Sequence, residues 1–346
     1  MHLIRATLED GEHLQFECDD AEDVLSAALR NNIILLSECH KGICTTCRVH
    51  CSDGEFELGR GVSVYSLPPE DQDEGFTLLC QTYPRSDLEI QLPYGLDRVS
   101  FGTSRIEEIY EARIAVIERF TEHVVSIFLE LRDEFGKPRD FRWTPGQYIK
   151  LRVPGTGEWR SYSMANIPDG SGRVELMVRL LEDGVFSNYL RERVKVGQVV
   201  EIKGPYGEFQ VHASVSPRYF VGGSTGLAPL VSMLRGMAEA NDPAPCRLIF
   251  GMRSQEFFFY AKELAALAGA LPALSLELSL ETPDPEWTGR VGNVGEVLSV
   301  ILNETGEKPD IYVCGPGPMV RFVEEICHAR GVRSDRVFSE KFLASG

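Results

Sequence analysis

A chain of 346 residues exceeds what one hydrophobic core usually serves, so two or three domains of roughly 100 to 150 residues are expected. Its composition, 43% hydrophobic and 25% charged, is that of a soluble globular protein. No apolar run reaches the roughly 18 residues that span a bilayer, and the opening MHLIRATLEDGE lacks the basic and apolar parts of a signal peptide, so the expectation is a cytoplasmic protein with no membrane partner.

Residues 1–98 hold 19 acidic and 7 basic side chains, a net of −12, which leaves −5 of the total of −17 for the rest. Such a segment repels phosphates and argues against nucleic acid; it serves either solubility or an acidic docking face. In a cytoplasmic chain nine cysteines, an odd number, point away from a disulfide framework and toward metal ligation or burial.

In chain order, the alternating runs His2 to Leu8 and Glu12 to Cys18 flank Asp10-Gly11 and predict a hairpin. Asp20 is the expected cap of a helix over Ala21 to Asn31, where Val24, Leu25, Ala28 and Leu29 share one face. The stretch SECHKGICTTCRVHC follows. Cys39, Cys44, Cys47 and Cys80 stand as C-x4-C-x2-C-x32-C, the plant-type [2Fe-2S] spacing. Structural zinc is the rival ligand, although it more often uses two paired C-x2-C knuckles, and here Cys80 stands alone. Cys51 offers a different register in place of Cys47 or Cys80, while Cys18, Cys246 and Cys327 fit apolar patterns as small buried side chains. A strand over Leu88 to Leu92 closes a small α+β domain spanning residues 1–98.

Residues 99–212 carry many short β runs, among them ARIAVIE, VVSIFLEL, GQYIKLRVP and RVELMVRL, and predict an antiparallel β-barrel. Within it Arg160, Ser161, Tyr162 and Ser163 offer a cation, a flat ring and hydroxyls of the kind a flavin platform needs, although four common residues also arise by chance. GVFSNYL, residues 184–190, feeds a short helix whose free N–H groups suit a pyrophosphate, and GPYGEF is a turn that a barrel corner alone would explain. From 213 to 346, strands such as RYFVGG, CRLIFG, LSLELSL and DIYVCG alternate with helical segments, including Leu230 to Ala240, and predict a doubly wound parallel sheet. GGSTGLAP and CGPGPM, starting at Gly222 and Cys314, each follow a strand, so both turns belong at the carboxyl edge, where a nicotinamide dinucleotide would lie; glycine kept for packing is the plainer explanation of either turn alone.

Taken together, CHKGICTTC with Cys80, RSYSMAN, GVFSNYL, KGPYGEF, YFVGGSTGLAP, PDIYVCG and SEKFLASG resemble the reductase components of bacterial soluble di-iron monooxygenases, the methane and propane type, within the ferredoxin-NADP reductase superfamily. The resemblance covers essentially the whole chain. It implies a β-grasp [2Fe-2S] ferredoxin domain, a β-barrel FAD domain and an NAD domain in that order. It further implies that Cys39, Cys44, Cys47 and Cys80 ligate iron; that Arg160, Tyr162 and Ser163 contact FAD, with Ser163 near its reactive edge; and that Ser187 and Asn188 lie at the pyrophosphate helix. Gly223, Thr225 and Gly226 would line the NAD pyrophosphate, Cys314 and Gly315 would lie beside the nicotinamide, and Phe342 would be the C-terminal aromatic near the flavin or a buried anchor. Two departures stand out: Ser224 occupies a position where relatives commonly have glycine, and CGPGPM replaces C-G-P-P-G-M.

The three modules would answer one chemical mismatch, since NADH gives two electrons as hydride and a [2Fe-2S] cluster takes one at a time. No acid/base dyad, nucleophilic triad or HExxH site is evident, which speaks against a hydrolase. The implied acceptor is the di-iron hydroxylase of a multicomponent monooxygenase, with a ring-hydroxylating dioxygenase or a non-catalytic electron carrier or redox sensor as alternatives. After CRLIFG, Arg253 would favour a 2′-phosphate and Glu256 would oppose one, and the resemblance tips the expectation to NADH.

Overall fold

The structure is a computed structural model, and the residues it describes are 1–37, 42, 45–59, 62–64, 66–101 and 108–342. The chain divides into two compact units, Met1–Glu108 and Ile109–Gly346.

In the first unit β1 (His2–Leu8), β2 (His13–Cys18), β3 (Arg48–Asp53), β4 (Phe76–Leu78) and β5 (Leu88–Leu92) form one sheet in the order β2-β1-β5-β3-β4. The β1–β5 pair is parallel and the others are antiparallel. Along β1 the side chains of Ile4, Ala6 and Leu8 are buried while Arg5 and Thr7 face solvent, as the period of two requires. Helix α1 (Val24–Arg30) buries Val24, Leu25, Ala27 and Ala28 in the same core, which gives the β-grasp arrangement. The helix starts later than the sequence suggested. Asp23, not Asp20, is its cap, accepting from Ser26 N–H at 2.9 Å, whereas Asp20 pairs with His2 at 2.9 Å.

The second unit opens with β6 (Ile109–Arg119), β7 (Val124–Leu131), β8 (Tyr148–Arg152), β9 (Trp159–Ser163), β10 (Arg173–Arg179) and β11 (Val199–Tyr206), ordered β9-β8-β11-β6-β7-β10 with every pairing antiparallel. A bridge between Met164 and Leu176 joins the two edges and closes the barrel. Ile114, Ile127, Leu129, Ile149, Leu151 and Ile202 fill it, and Phe186, Tyr189 and Leu190 of helix α2 (Val185–Glu192) join that core.

Next come β12 (Arg218–Gly223), α3 (Leu227–Glu239), β13 (Cys246–Met252), α4 (Ala261–Ala270), β14 (Leu274–Leu280), β15 (Arg290–Val291), α5 (Val294–Thr305), β16 (Asp310–Pro316), α6 (Gly317–Ala329) and β17 (Val337–Phe342). The strands form an all-parallel sheet ordered β15-β14-β13-β12-β16-β17. Helices α3 and α4 share one core beneath it and α5 and α6 another, so both faces are covered. The strand order reverses between β12 and β16, which places a crevice at their carboxyl ends. Among the described residues no helix is long and apolar enough to cross a membrane.

Candidate functional site

The cysteine site is built by strand register. Arg48 pairs with Leu78 across β3 and β4, so Cys47 and the turn Leu79–Gln81 that carries Cys80 are neighbours. Leu79 N–H donates to Cys47 O at 3.0 Å, and the two sulfurs lie 3.4 Å apart, both buried. That separation is well beyond the roughly 2.05 Å of a disulfide and suits two ligands converging on one group. The turn is braced from below: the Thr77 and Thr82 hydroxyls meet at 2.6 Å, and Thr82 Oγ1 donates to Leu78 O at 2.8 Å. Leu36 N–H donates to the Tyr94 hydroxyl, whose pKa burial pushes up to about 12. Cys39 and Cys44 lie outside the described residues. The Cys51 thiol donates to Asp53 O at 3.3 Å, and burial raises its pKa, so it is held as a thiol within β3. Burial likewise pushes the Cys18 and Cys327 thiols up to about 12 and Cys246 to about 11, which makes them the inert core groups that their apolar surroundings suggested.

The run Arg160–Ser163 is divided by the pleat of β9. Arg160 and Tyr162 lie opposite the barrel-core residues Leu151 and Ile149, whereas Ser161 and Ser163 lie on the other face, opposite Lys150 and Tyr148. Ser161 is exposed. Arg160 pairs with Glu158 and donates to Trp159 O at 3.2 Å, a carboxylate partner that the sequence reading did not anticipate. The Tyr162 ring packs 5.5 Å from Phe186, so RSYS and GVFSNYL form one wall, and desolvation holds the Tyr162 phenol well above its usual pKa. At α2 Gly184 occupies the cap position without a side-chain cap, leaving the first-turn N–H groups open to an anion. Ser187 turns inward instead: its hydroxyl accepts from Leu181 N–H at 3.0 Å and is buried, while Asn188 accepts from Arg191 at 3.2 Å.

In the parallel sheet Gly222 stands beside Cys314 in register, and the two glycine turns come into contact beyond them. A Cβ on Gly226 would lie 2.2 Å from Cys314 O, so only glycine permits this approach. Gly223 and Gly315 both pack on Met319, and Thr225 is buried in the short turn Ser224–Gly226. Ser224 itself has φ +55, the left-handed conformation that explains why glycine suits this place better. The CGPGPM order leaves Cys314–Gly315 against Gly226 and puts Gly317 at the first position of α6.

The residues expected on the flavin side and on the nicotinamide side meet on a group the sequence reading missed. Glu340 is buried, accepts from Ser163 Oγ at 3.3 Å, and takes the Cys314 thiol at 3.7 Å. Cys314 and Glu340 are direct neighbours in the β16–β17 register, and Phe342 follows, half-buried, opposite Pro316. The available signal was a lone acidic side chain two residues before Phe342 in VFSEKF. Uncapped N–H groups beside a flat aromatic wall fit a flavin pyrophosphate and ring, and a glycine crevice that a Cβ would fill fits a dinucleotide.

Comparison with known proteins finds three domain families along the chain. Residues 8–85 match the 2Fe-2S iron-sulfur cluster binding domain family, 118–211 the oxidoreductase FAD-binding domain family and 220–325 the oxidoreductase NAD-binding domain family. The chain is 36% identical to methane monooxygenase component C of Methylosinus trichosporium over all of both chains. It is 31% identical to the anthranilate 1,2-dioxygenase electron transfer component of Acinetobacter baylyi, over 99% of this chain and 98% of that one. Among solved structures it is similar to Amycolatopsis cytochrome P450 reductase GcoB, with a TM-score of 0.75, 25% identity and 98% of each chain covered.

Proposed function

This chain belongs to the family of oxygenase reductase components that join a 2Fe-2S domain to FAD- and NAD-binding domains, and from that premise we infer that it draws electrons from NADH for the di-iron hydroxylase of a multicomponent hydrocarbon monooxygenase. FAD and the [2Fe-2S] cluster, when bound, supply the conversion from a two-electron hydride donor to single-electron transfer.

The observation that carries the reading is the meeting of Ser163 and Cys314 on Glu340. The Glu340 carboxylate holds a hydroxyl from the barrel and a thiol from the sheet, so it orients both toward the place where flavin edge and nicotinamide would stack. Tyr162, backed by the buried Phe186, would wall the flavin, and the open end of α2 would hold its pyrophosphate. The Gly223–Gly226 turn and Gly315 admit the dinucleotide. Beyond β13 the exposed carboxylate of Glu256, bridged by Ser254 Oγ at 3.2 Å, opposes a 2′-phosphate and supports the use of NADH. Cys47 and Cys80, both buried, would hold the cluster together with Cys39 and Cys44. The acidic first segment supports docking to a basic face of the hydroxylase, and dependence on NADH supports a cytoplasmic location.

Anaerobic mixing with NADH tests the reading. Flavin absorbance is expected to bleach first and the cluster bands second, and oxidised di-iron hydroxylase is expected to restore the cluster bands. A missing flavin phase refutes the reading. Restoration by a ring-hydroxylating dioxygenase but not by a di-iron hydroxylase moves the partner to the alternative that the 31% identical dioxygenase component favours.

A further inference from the structure

Away from the Glu340 contact, the barrel and the parallel sheet of the second unit meet at a second buried carboxylate. Glu175 lies on β10 and is 3% exposed. Its Oε2 accepts from Arg235 of α3 at 2.7 Å, and its Oε1 accepts from the Tyr260 hydroxyl at 2.8 Å and from Ser126 at 3.5 Å. Arg235 donates also to the Tyr260 hydroxyl at 2.7 Å and to Ala165 O at 2.8 Å. Tyr260, at the start of α4, has φ +69, a left-handed conformation that a bulky residue holds only when its surroundings impose it.

Both ends of this network lie on elements that carry the site. Ala165 and Asn166 directly continue the strand that bears Arg160–Ser163, and Asn166 O accepts from Ser232 of α3 at 2.7 Å. Helix α3 begins where the glycine turn ends, and Arg235 lies eight residues from Leu227, about 12 Å along a rigid rod. The rod is pressed close to the barrel: a Cβ on Gly146 would lie 1.9 Å from Phe209 O and 2.6 Å from Met233 of α3. None of Glu175, Arg235 and Tyr260 belongs to the glycine turns or to the flavin wall, and an open cleft of about 360 Å³ lies beside them, lined also by Glu118, Arg173 and Glu263.

We propose that Arg235, held by Glu175 and Tyr260, is a positioning residue that sets the nicotinamide-binding turn at its working distance from the flavin edge. The proposal rests on the function inferred above. Hydride moves only when donor and acceptor atoms lie about 3 to 3.5 Å apart, so a small rotation of α3 on the barrel alters rate more than affinity.

The test compares the full-length holoprotein with Tyr260→Phe, Arg235→Lys and Arg235→Met by anaerobic stopped flow with NADH. It follows the limiting rate of flavin bleaching, the half-saturating NADH concentration and the long-wavelength charge-transfer absorbance that reports nicotinamide stacked on flavin. Arg235→Met is expected to lower the limiting rate about tenfold or more and to weaken the charge-transfer band, with half-saturation shifted less than about twofold. Arg235→Lys should recover part of both signals. Should Arg235→Met not fold, Tyr260→Phe, which deletes one hydroxyl from the network, carries the same expectation at about threefold. A parent-like limiting rate and band in variants that melt at lower temperature would reduce the network to a structural bolt and overturn the proposal. A raised half-saturation at unchanged limiting rate would overturn it too, by assigning Arg235 to binding. Absence of bleaching in the parent protein would instead refute the inferred function.

Discussion

Cys47 and Cys80 converge because β3 and β4 pair, whereas Cys51 is engaged within β3 by Asp53. Cys80→Ser is therefore expected to abolish the cluster bands in visible absorbance and to leave flavin content intact, while Cys51→Ser should retain both; iron and flavin per chain, measured on the purified variants, check this. At Ser224 the left-handed φ costs about 1–2 kcal/mol for a side chain, of which glycine's larger unfolded-state entropy offsets part. Ser224→Gly should then raise stability by about 0.5–1 kcal/mol in chemical unfolding. Spacing alone brought the four cysteines into view, and glycine turns after strands marked the crevice at the carboxyl ends of β12 and β16. Glu340 escaped because its role depends on lying beside Cys314 across β16–β17 and reaching Ser163 in the barrel, a relation 177 residues long that no local pattern encodes. Ser187 was legible as a helix-start residue, but the direction of its hydroxyl was not.

Elements were legible where a period or a cap was unambiguous. The period of two along β1 and the DIYVCG run each produced the expected strand, while α1 began at Val24 because Asp23 binds both the N–H and the hydroxyl of Ser26, at 2.9 and 2.6 Å. The α3 helix likewise spans Leu227–Glu239 rather than Leu230 to Ala240, since the glycine turn passes straight into it. KGPYGEF proved more than a corner: it delivers Phe209 into the core beneath the parallel sheet, 6.4 Å from Tyr312. The strongest helix start is α5. Asn293 accepts from Gly295 and Glu296 N–H at 3.0 Å each, and Glu296 returns to Asn293 N–H at 3.0 Å. Asn293→Ala should cost about 1 kcal/mol in urea unfolding, with dinucleotide affinity unchanged.

At the scale of the molecule the division at Glu108 and Ile109 separates the paired cysteines from the residues proposed to hold flavin and nicotinamide. Expressed separately, residues 109–346 are expected to bind FAD and reduce ferricyanide with NADH, and residues 1–108 to hold the cluster without oxidising NADH; steady-state assays and visible spectra of the two pieces check both. The sequence order of β-grasp, barrel and doubly wound segments could be read from changes in hydrophobic period. How α3 lies on the barrel could not, because that docking is written in Ser232, Arg235 and Gly236, residues that look like ordinary helix surface until their partners Asn166, Glu175 and Pro145 are known.

The Glu340 contact has a dynamic consequence. Its carboxyl group takes a donor from the barrel and one from the sheet, so any breathing that parts the two breaks the Ser163 contact and uncovers a buried polar group. Water that enters as they part can replace the lost hydrogen bond, and closure must expel it again. The side chain proposed to align the reactants would then also set a hydration cost on parting the two surfaces.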